Sequence, residues 1–157
     1  MKVGLGTKIY DPIVILKVGH ELVIGKNCSI GQFAFIAARK LVMEDGAEIC
    51  PHAILGGGGD ITLGKYSTVS YGTKLIPATF STDGKYMNDN IPEKSKIIRG
   101  SITLGEGAYI GSGAVVCVSK KCLHIKIGDY AVVGALTYLD HSLPANTIIT
   151  PKGIKKR

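Results

Sequence analysis

Residues 102–116 read ITLGEGAYIGSGAVV, with Leu104, Ile110 and Val116 spaced six positions apart and a glycine directly after the first two. Six is not the 3.6-residue period of a helix, and each interior glycine would cost a helix ~1 kcal/mol relative to alanine. The same register runs from Ile24 as IGKNCS, IGQFAF and IAARKL, slips by one residue, and continues as MEDGAE, ICPHAI and LGGGGD. LGKYST, VSYGTK and LIPATF follow, then a break, then LGEGAY, IGSGAV and VCVSKK, and later IGDYAV and VGALTY. With Val18, Cys122 and Leu139 as weaker members there are seventeen hexads, nine of which carry glycine in second place. The fifth place is usually small, as at Cys28, Ala34, Ala47, Ala53, Ala108 and Ala114.

A short strand, a sharp corner and another strand, repeated every six residues, wind a triangular prism. The leading aliphatic residue points inward and stacks on its counterpart one coil away. The fifth residue also points inward, near a corner where only a small side chain fits, and the glycine is expected to turn the corner through positive φ. Three hexads make one coil, so the chain is expected to be an all-β solenoid, a parallel β-helix of five to six coils. A flat antiparallel sandwich also uses short strands, but nothing in it demands a six-residue register held through three separate blocks.

The length of 157 residues suits one domain over 1–157. A hydrophobic fraction of 45% and a mean hydropathy of +0.23 argue against disorder. No apolar run reaches the ~18–20 residues that span a bilayer, and the opening MKVGLGTKIYDP has no signal-peptide pattern, so a cytoplasmic protein is expected. Cys28, Cys50, Cys117 and Cys122 lack CxxC spacing and read as reduced, small apolar residues. The net charge of +7 suits an anionic ligand. The lysines are dispersed except for Lys120–Lys121 and the basic tail 151–157, and no groove-reading motif accompanies them, so nucleic acid is not the expected partner.

The repeat stops after Leu75 and returns at Leu104. The excursion 77–101 is polar, punctuated by Pro77, Gly84, Pro92 and Gly100, and too long for a plain connection. Its Asp83, Tyr86, Asn88, Asp89 and Glu93 are chemistry-bearing side chains rather than linker residues, and mark it as the functional segment. GGGG at 56–59 is followed by no GK[ST] and reads as a tight corner, not a phosphate loop.

The repeat [LIV]-[GAED]-x-x-[STAV]-x resembles that of the left-handed parallel β-helix acyltransferases, the hexapeptide transferase superfamily, over roughly residues 18 to 150. GKYSTVSYGTKL, the loop ending IPEK, RGSITLGEGAYIGSGAVV and the closing IGDYAVVGALTYLDHSLPANTIITPKGIKKR resemble its sugar acyltransferase branch. The resemblance implies left-handed winding, an exception to the usual right-handed crossover. It also implies a homotrimer of parallel prisms with active sites in the clefts between subunits. The donor would be acetyl-CoA or another short acyl-CoA, with no metal. The acceptor would be a sugar, plausibly a nucleotide-linked amino sugar, whose amine or hydroxyl attacks the thioester directly. On the same basis Asp83 and Asp89 would bind the acceptor beside Tyr86 and Asn88, and glycine-corner N–H groups would hold the oxyanion. Gly111 and Gly113 would lie along the pantetheine arm, and Lys120, Lys121, Lys152 and Lys155 would meet coenzyme phosphates.

The chain departs from that pattern in three ways, the first being that the acidic pair of the sugar branch is not cleanly present, with Asp83 its nearest equivalent. No histidine occurs in 77–101, where many such enzymes keep their base. His52 and Asp83 are the remaining catalytic candidates, His124 is a weaker one, His141 is read as shaping a turn, and His20 as surface. An amine acceptor suits the missing base. In VVCVSKKCLHIKIG about five extra residues bulge from the wall. The histidine spacings of the zinc-dependent carbonic anhydrase cousins are absent. These departures leave a second reading, a catalytically silent structural or regulatory β-helix subunit.

Overall fold

The computed structural model describes residues 1–15, 21–88, 90 and 94–156. The first coil is β1 (Lys2–Val3), β2 (Lys8–Ile9) and β3 (Val14–Ile15); the second is β4 (Glu21–Ile24), β5 (Ser29–Ile30) and β6 (Phe35–Ile36). β7 (Lys40–Met43), β8 (Glu48–Ile49) and β9 (Ile54–Leu55) make the third, and β10 (Asp60–Leu63), β11 (Thr68–Val69) and β12 (Lys74–Ile76) the fourth. The excursion holds β13 (Ala78–Phe80) and β14 (Ile97–Arg99), paired antiparallel. β15 (Ser101–Leu104), β16 (Tyr109–Ile110) and β17 (Val115–Cys117) form the fifth coil, and β18 (His124–Ile127), β19 (Val132–Val133) and β20 (Tyr138–Leu139) the sixth. A seventh begins with Leu143 bridging Ile127 and β21 (Thr147–Thr150); β22 (Gly153–Lys156) then folds back antiparallel on β21.

Corresponding strands pair in parallel, giving three walls: wall A from β1 to β18, wall B from β2 to β21, wall C from β3 to β20. This is the parallel β-helix the hexads predict, consistent with the left-handed winding that the resemblance implies. It has six complete coils and part of a seventh, more than the five to six counted from Val18 onward. Val3, Ile9 and Ile15 carry the six-residue spacing into a first coil ahead of that register. Val18, Gly19 and His20 lie outside the described residues.

Aliphatic ladders fill the prism. Ile30, Ile49, Val69, Ile110 and Val133 are in register on wall B, and Ile36, Leu55, Leu75, Val116 and Leu139 on wall C, all at most 1% exposed. Each such side chain contributes roughly 1.5–3 kcal/mol by leaving water. The small fifth-place residues are buried as expected; the Ser67 hydroxyl donates to Gly64 O at 2.7 Å and that of Thr73 to Gly111 O at 2.9 Å, while the buried Thr137 hydroxyl has no partner among the described residues.

The structure corrects the role expected of the second-place glycines. Gly25, Gly31, Gly64, Gly105, Gly111 and Gly128 do not have positive φ; a Cβ on any of them would collide with the next coil, as at Gly111, where it would sit 2.5 Å from Ala135 N. Positive φ falls two residues later, in fourth place, at Asn27, Phe33, Gly46, His52, Tyr66, Gly72, Gly107, Gly113, Tyr130 and Leu136.

The walls differ outwardly. Wall A presents the pairs Glu21–Lys40 at 3.2 Å and Arg39–Asp60 at 2.7 Å. Wall C presents a register column of Val14, Phe35, Ile54, Lys74, Val115 and Tyr138, apolar except for the lysine. Among the described residues no helix is long and apolar enough to cross a membrane.

Candidate functional site

The corner where wall C turns into wall A is unlike the other two. In the third coil it is Gly56–Gly59. Gly57 has φ +92, and a Cβ there would lie 2.7 Å from Ala78 O; Gly59 is equally tight against Pro77 and Gly100. The glycine run is thus a flat seat on which the roots of the excursion rest. Gly100 in turn presses on Leu123 of the bulge, and Val118 N donates to Ile76 O at 3.1 Å. Seat, excursion and bulge stack at one corner in successive layers.

Between the last two lies a cavity of about 410 Å³. Its lining combines Phe80, Ser81 and Ile98 of the excursion with Cys117 and Tyr138 of wall C and Lys121 of the bulge. Ser81 is 1% exposed and its Oγ has no partner among the described residues. A buried hydroxyl without a partner costs about 1–3 kcal/mol; the Ser95 and Thr137 hydroxyls share this state, and of the three Ser81 is the one that lines this cavity. Burial, with Asp140 adding, raises the Cys117 thiol above its ordinary value, so it is held protonated and apolar. A larger concavity, about 460 Å³, lies over Lys126, Asp129 and Ser142 at the far end of wall A. No orphaned polar atom points to a ligand there, and it is remote from the excursion in the chain, so the smaller cavity is the better candidate.

Of the residues singled out in the sequence, Asp83 and Lys120 meet. Asp83 Oδ1 is 2.5 Å from Lys120 Nζ and Oδ2 is 3.5 Å from Lys96 Nζ. The Lys120 ammonium, donating to it first of all, holds the Asp83 carboxyl below its ordinary range, so it is ionised and engaged. Lys121 stands beside the cavity. Tyr86 and Asn88 lie farther out: Lys85 and Lys94 sit over the Tyr86 ring at 5.4 and 6.0 Å, and Asn88 Oδ1 accepts from Asn90 N at 2.9 Å. Asp89 and Glu93 lie outside the described residues.

The other candidates are distributed elsewhere on the chain. His52 is at the corner between walls B and C, its ring stacked on Phe33 with centroids 4.9 Å apart, a different corner from the excursion. Gly111 N donates to Val133 O at 2.7 Å and Gly113 N to Tyr71 O at 2.9 Å. Both N–H groups are spent on the coils, so along the expected pantetheine track these two glycines offer no free backbone donor of their own. Lys152 and Lys155 belong to the β21–β22 hairpin on wall B, apart from Lys120 and Lys121. His124 on wall A bonds Ser101 Oγ through Nδ1 at 3.0 Å.

Sequence reasoning missed Ser81, Tyr138 and the Asp140–His141 pair. Asp140 lines the cavity, and its Oδ1 is 3.1 Å from Nδ1 of His141, leaving Nε2 of that half-exposed ring free of the pair. The signal was present: DHSLPAN closes the sixth coil at the same corner as the bulge. Among the described residues no group of three or more His, Cys, Asp or Glu could hold a metal ion.

No known family model matches the sequence. The chain is 26% identical over 162 residues to the dTDP-4-amino-4,6-dideoxy-D-glucose acyltransferase of Escherichia coli, covering 99% of this chain and 81% of that protein. It is 26% identical over 147 residues to the bifunctional protein GlmU of Bifidobacterium longum subsp. infantis, covering 94% of this chain; it spans about a quarter (26%) of that relative's length. Among solved structures it resembles AntD, an N-acyltransferase from Bacillus cereus in complex with dTDP and 3-hydroxybutyryl-CoA, with a TM-score of 0.85 at 22% identity over 99% of this chain and 81% of AntD. It also resembles the hexapeptide-repeat containing acetyltransferase VCA0836 of Vibrio cholerae, with a TM-score of 0.51 at 18% identity over 99% of this chain and 72% of that one, and it shares the fold of these structures.

Proposed function

We propose that this chain transfers a short acyl group, acetyl or a close homologue, from coenzyme A to the amine of a nucleotide-linked sugar. The observation that carries the reading is the orphaned Ser81 hydroxyl in the cavity between excursion and bulge. The acyltransferase relatives support the same chemistry. An acceptor amine supplies the hydrogen-bond partner Ser81 lacks and needs no base to become a nucleophile once neutral. Its nitrogen attacks the thioester carbonyl, the C–N bond forms, the C–S bond breaks, and the coenzyme leaves as thiolate. The proton released by nitrogen passes to that thiolate or to His141, which Asp140 orients with Nε2 free to accept. Lys121, beside the cavity, suits a coenzyme phosphate, and Phe80, Ile98 and Tyr138 suit the acyl end of the pantetheine. His52 takes part only through a neighbouring copy, because in its own subunit it stands at another corner.

The outward column of wall C, exposed at Val14, Phe35 and Tyr138 and half-buried at Ile54 and Val115, with Phe33, Tyr71 and Leu136 exposed at the adjoining corner, supports a homotrimer in which wall C of one copy meets wall B of the next. Lys152 and Lys155 on wall B then line the same cleft from across the interface. An acyl-CoA donor supports a cytoplasmic location for the reaction.

The test is calorimetry with acetyl-CoA, followed by transfer to dTDP-4-amino-4,6-dideoxyglucose monitored by thiol release. One coenzyme site per chain and saturable turnover are expected. Ser81→Ala should lower kcat/KM about tenfold, the worth of one good hydrogen bond, and His141→Gln should lower kcat more than His52→Gln does. Failure to bind acetyl-CoA, longer acyl-CoAs and free coenzyme would leave the silent scaffold as the reading.

A further inference from the structure

The bulge has no counterpart in the hexad pattern, yet it is an ordered turn. Ser119 N donates to Cys122 O at 3.0 Å and Cys122 N to Ser119 O at 3.1 Å, which sets Lys120 and Lys121 at the tip. Facing it, the excursion continues past its two-stranded root as a second turn: Ser81 N donates to Lys96 O at 2.7 Å and Gly84 N to Ser81 O at 3.0 Å. Asp83 sits in that turn. One carboxylate therefore joins three pieces of chain, its own turn, the returning arm at Lys96 and the bulge at Lys120. Among the described residues this is the ion pair that crosses from excursion to bulge, directly beside the cavity. Both partners are about half exposed, 53% for Asp83 and 44% for Lys120, so water and salt screen the pair and it adds little to global stability. Its leverage is local: residues 82–88 are exposed apart from the half-buried Gly84, and a small tie biases how such a segment sits.

We propose that Lys120 is a positioning residue: through Asp83 it clasps the excursion against the bulge and so holds the cavity in the shape that receives the acceptor. This rests on the acyl-transfer reading above. It also reassigns two side chains, Asp83 from contact with the acceptor and Lys120 from contact with the coenzyme, to contact with each other.

The experiment compares Lys120→Met, Asp83→Asn, the double variant and Lys120→Arg in the full chain. Readouts are acceptor KM and kcat, calorimetric affinity for acetyl-CoA, and hydrogen exchange over 81–88. Lys120→Met should raise acceptor KM about two- to fivefold, the fold-change an exposed ion pair sustains, with the effect larger in KM than in kcat. Exchange over 81–88 should quicken, Lys120→Arg should restore both, and raising the salt should bring the parent toward Lys120→Met. The double variant should be no worse than either single one, because the two side chains act as a unit. Loss of kcat in Asp83→Asn with Lys120→Met unaffected would overturn the clasp and return Asp83 to the acceptor. Weaker acetyl-CoA binding in Lys120→Met, without faster exchange, would return Lys120 to the coenzyme. If no transfer is detected with any acceptor, the exchange comparison still decides: unchanged exchange in Lys120→Met overturns the clasp, independently of the reaction assigned.

Discussion

Two kinds of glycine share one hexad, and they respond to substitution for different reasons. Gly31 follows the leading Ile30, and a Cβ there would run into the Pro51 ring and nitrogen of the next coil. Gly72 stands in fourth place at φ +63 with open space around it. Gly31→Ala must push two coils apart and should cost about 1–3 kcal/mol, as overpacking does. Gly72→Ala meets only the backbone penalty of the left-handed region, about 1 kcal/mol. Urea midpoints of the two variants check this order; equal losses would mean the coils yield more easily than their spacing implies. The spacing of the second-place glycines was legible in the sequence, but its cause was not, because the close approach exists only after coils stack. The fourth place was illegible for a related reason. Asn27, Phe33, His52, Tyr66, Tyr130 and Leu136 share no chemistry beyond being unbranched at Cβ, which lets them tolerate positive φ. His52, the fourth residue of its hexad, is one of these corner residues.

The elements of the corner between walls C and A show where sequence patterning loses its grip. The break in the repeat located the excursion, and the irregular VVCVSKKCLHIKIG located the bulge. That the two stack on one another, with the glycine run beneath, follows only from counting hexads by threes, which returns all of them to one corner. The ion pairs depend on this stacking too. Arg39, at the same corner in the second coil, makes two hydrogen bonds to Asp60 of β10, at 2.9 and 2.7 Å. Those bonds, before any longer-range attraction, hold the Asp60 carboxyl below its ordinary value of 3.8. A carboxylate lowered in the folded state stabilises the fold above its unfolded pKa, and the effect disappears as pH falls through the folded value. Asp60→Asn should therefore unfold more readily than the parent at pH 7, by less than the glycine changes above. The gap should close only below pH 3.8, where the unfolded chain and then the folded one take up the proton. Thermal melts of both proteins at pH 7 and in the acid range measure it; a gap that persists at low pH would assign the loss to packing.

At the scale of the whole molecule, the prism buries one aliphatic column per wall and leaves the outward columns to set its associations. Phe35 and Ile54 are neighbours in the apolar outward column of wall C, the wall assigned here to contact with another copy. Phe35→Glu should turn a species of three times 16.6 kDa into monomers without unfolding them, as light scattering with circular dichroism would register; an unchanged mass would move the interface to another wall. One feature of the stack reaches beyond any single side chain. Asp60–Leu63 pairs with Ser101–Leu104 residue for residue, in the same parallel register that Lys40–Met43 keeps with Asp60–Leu63, although the excursion intervenes in the first case and not in the second. The wall is therefore indifferent to what leaves between two of its rungs. Such a scaffold works like a socket: hairpins of other lengths and chemistries can be exchanged at the glycine seat while the frame stays in tune, so what the corner holds can diverge without the fold having to be reinvented.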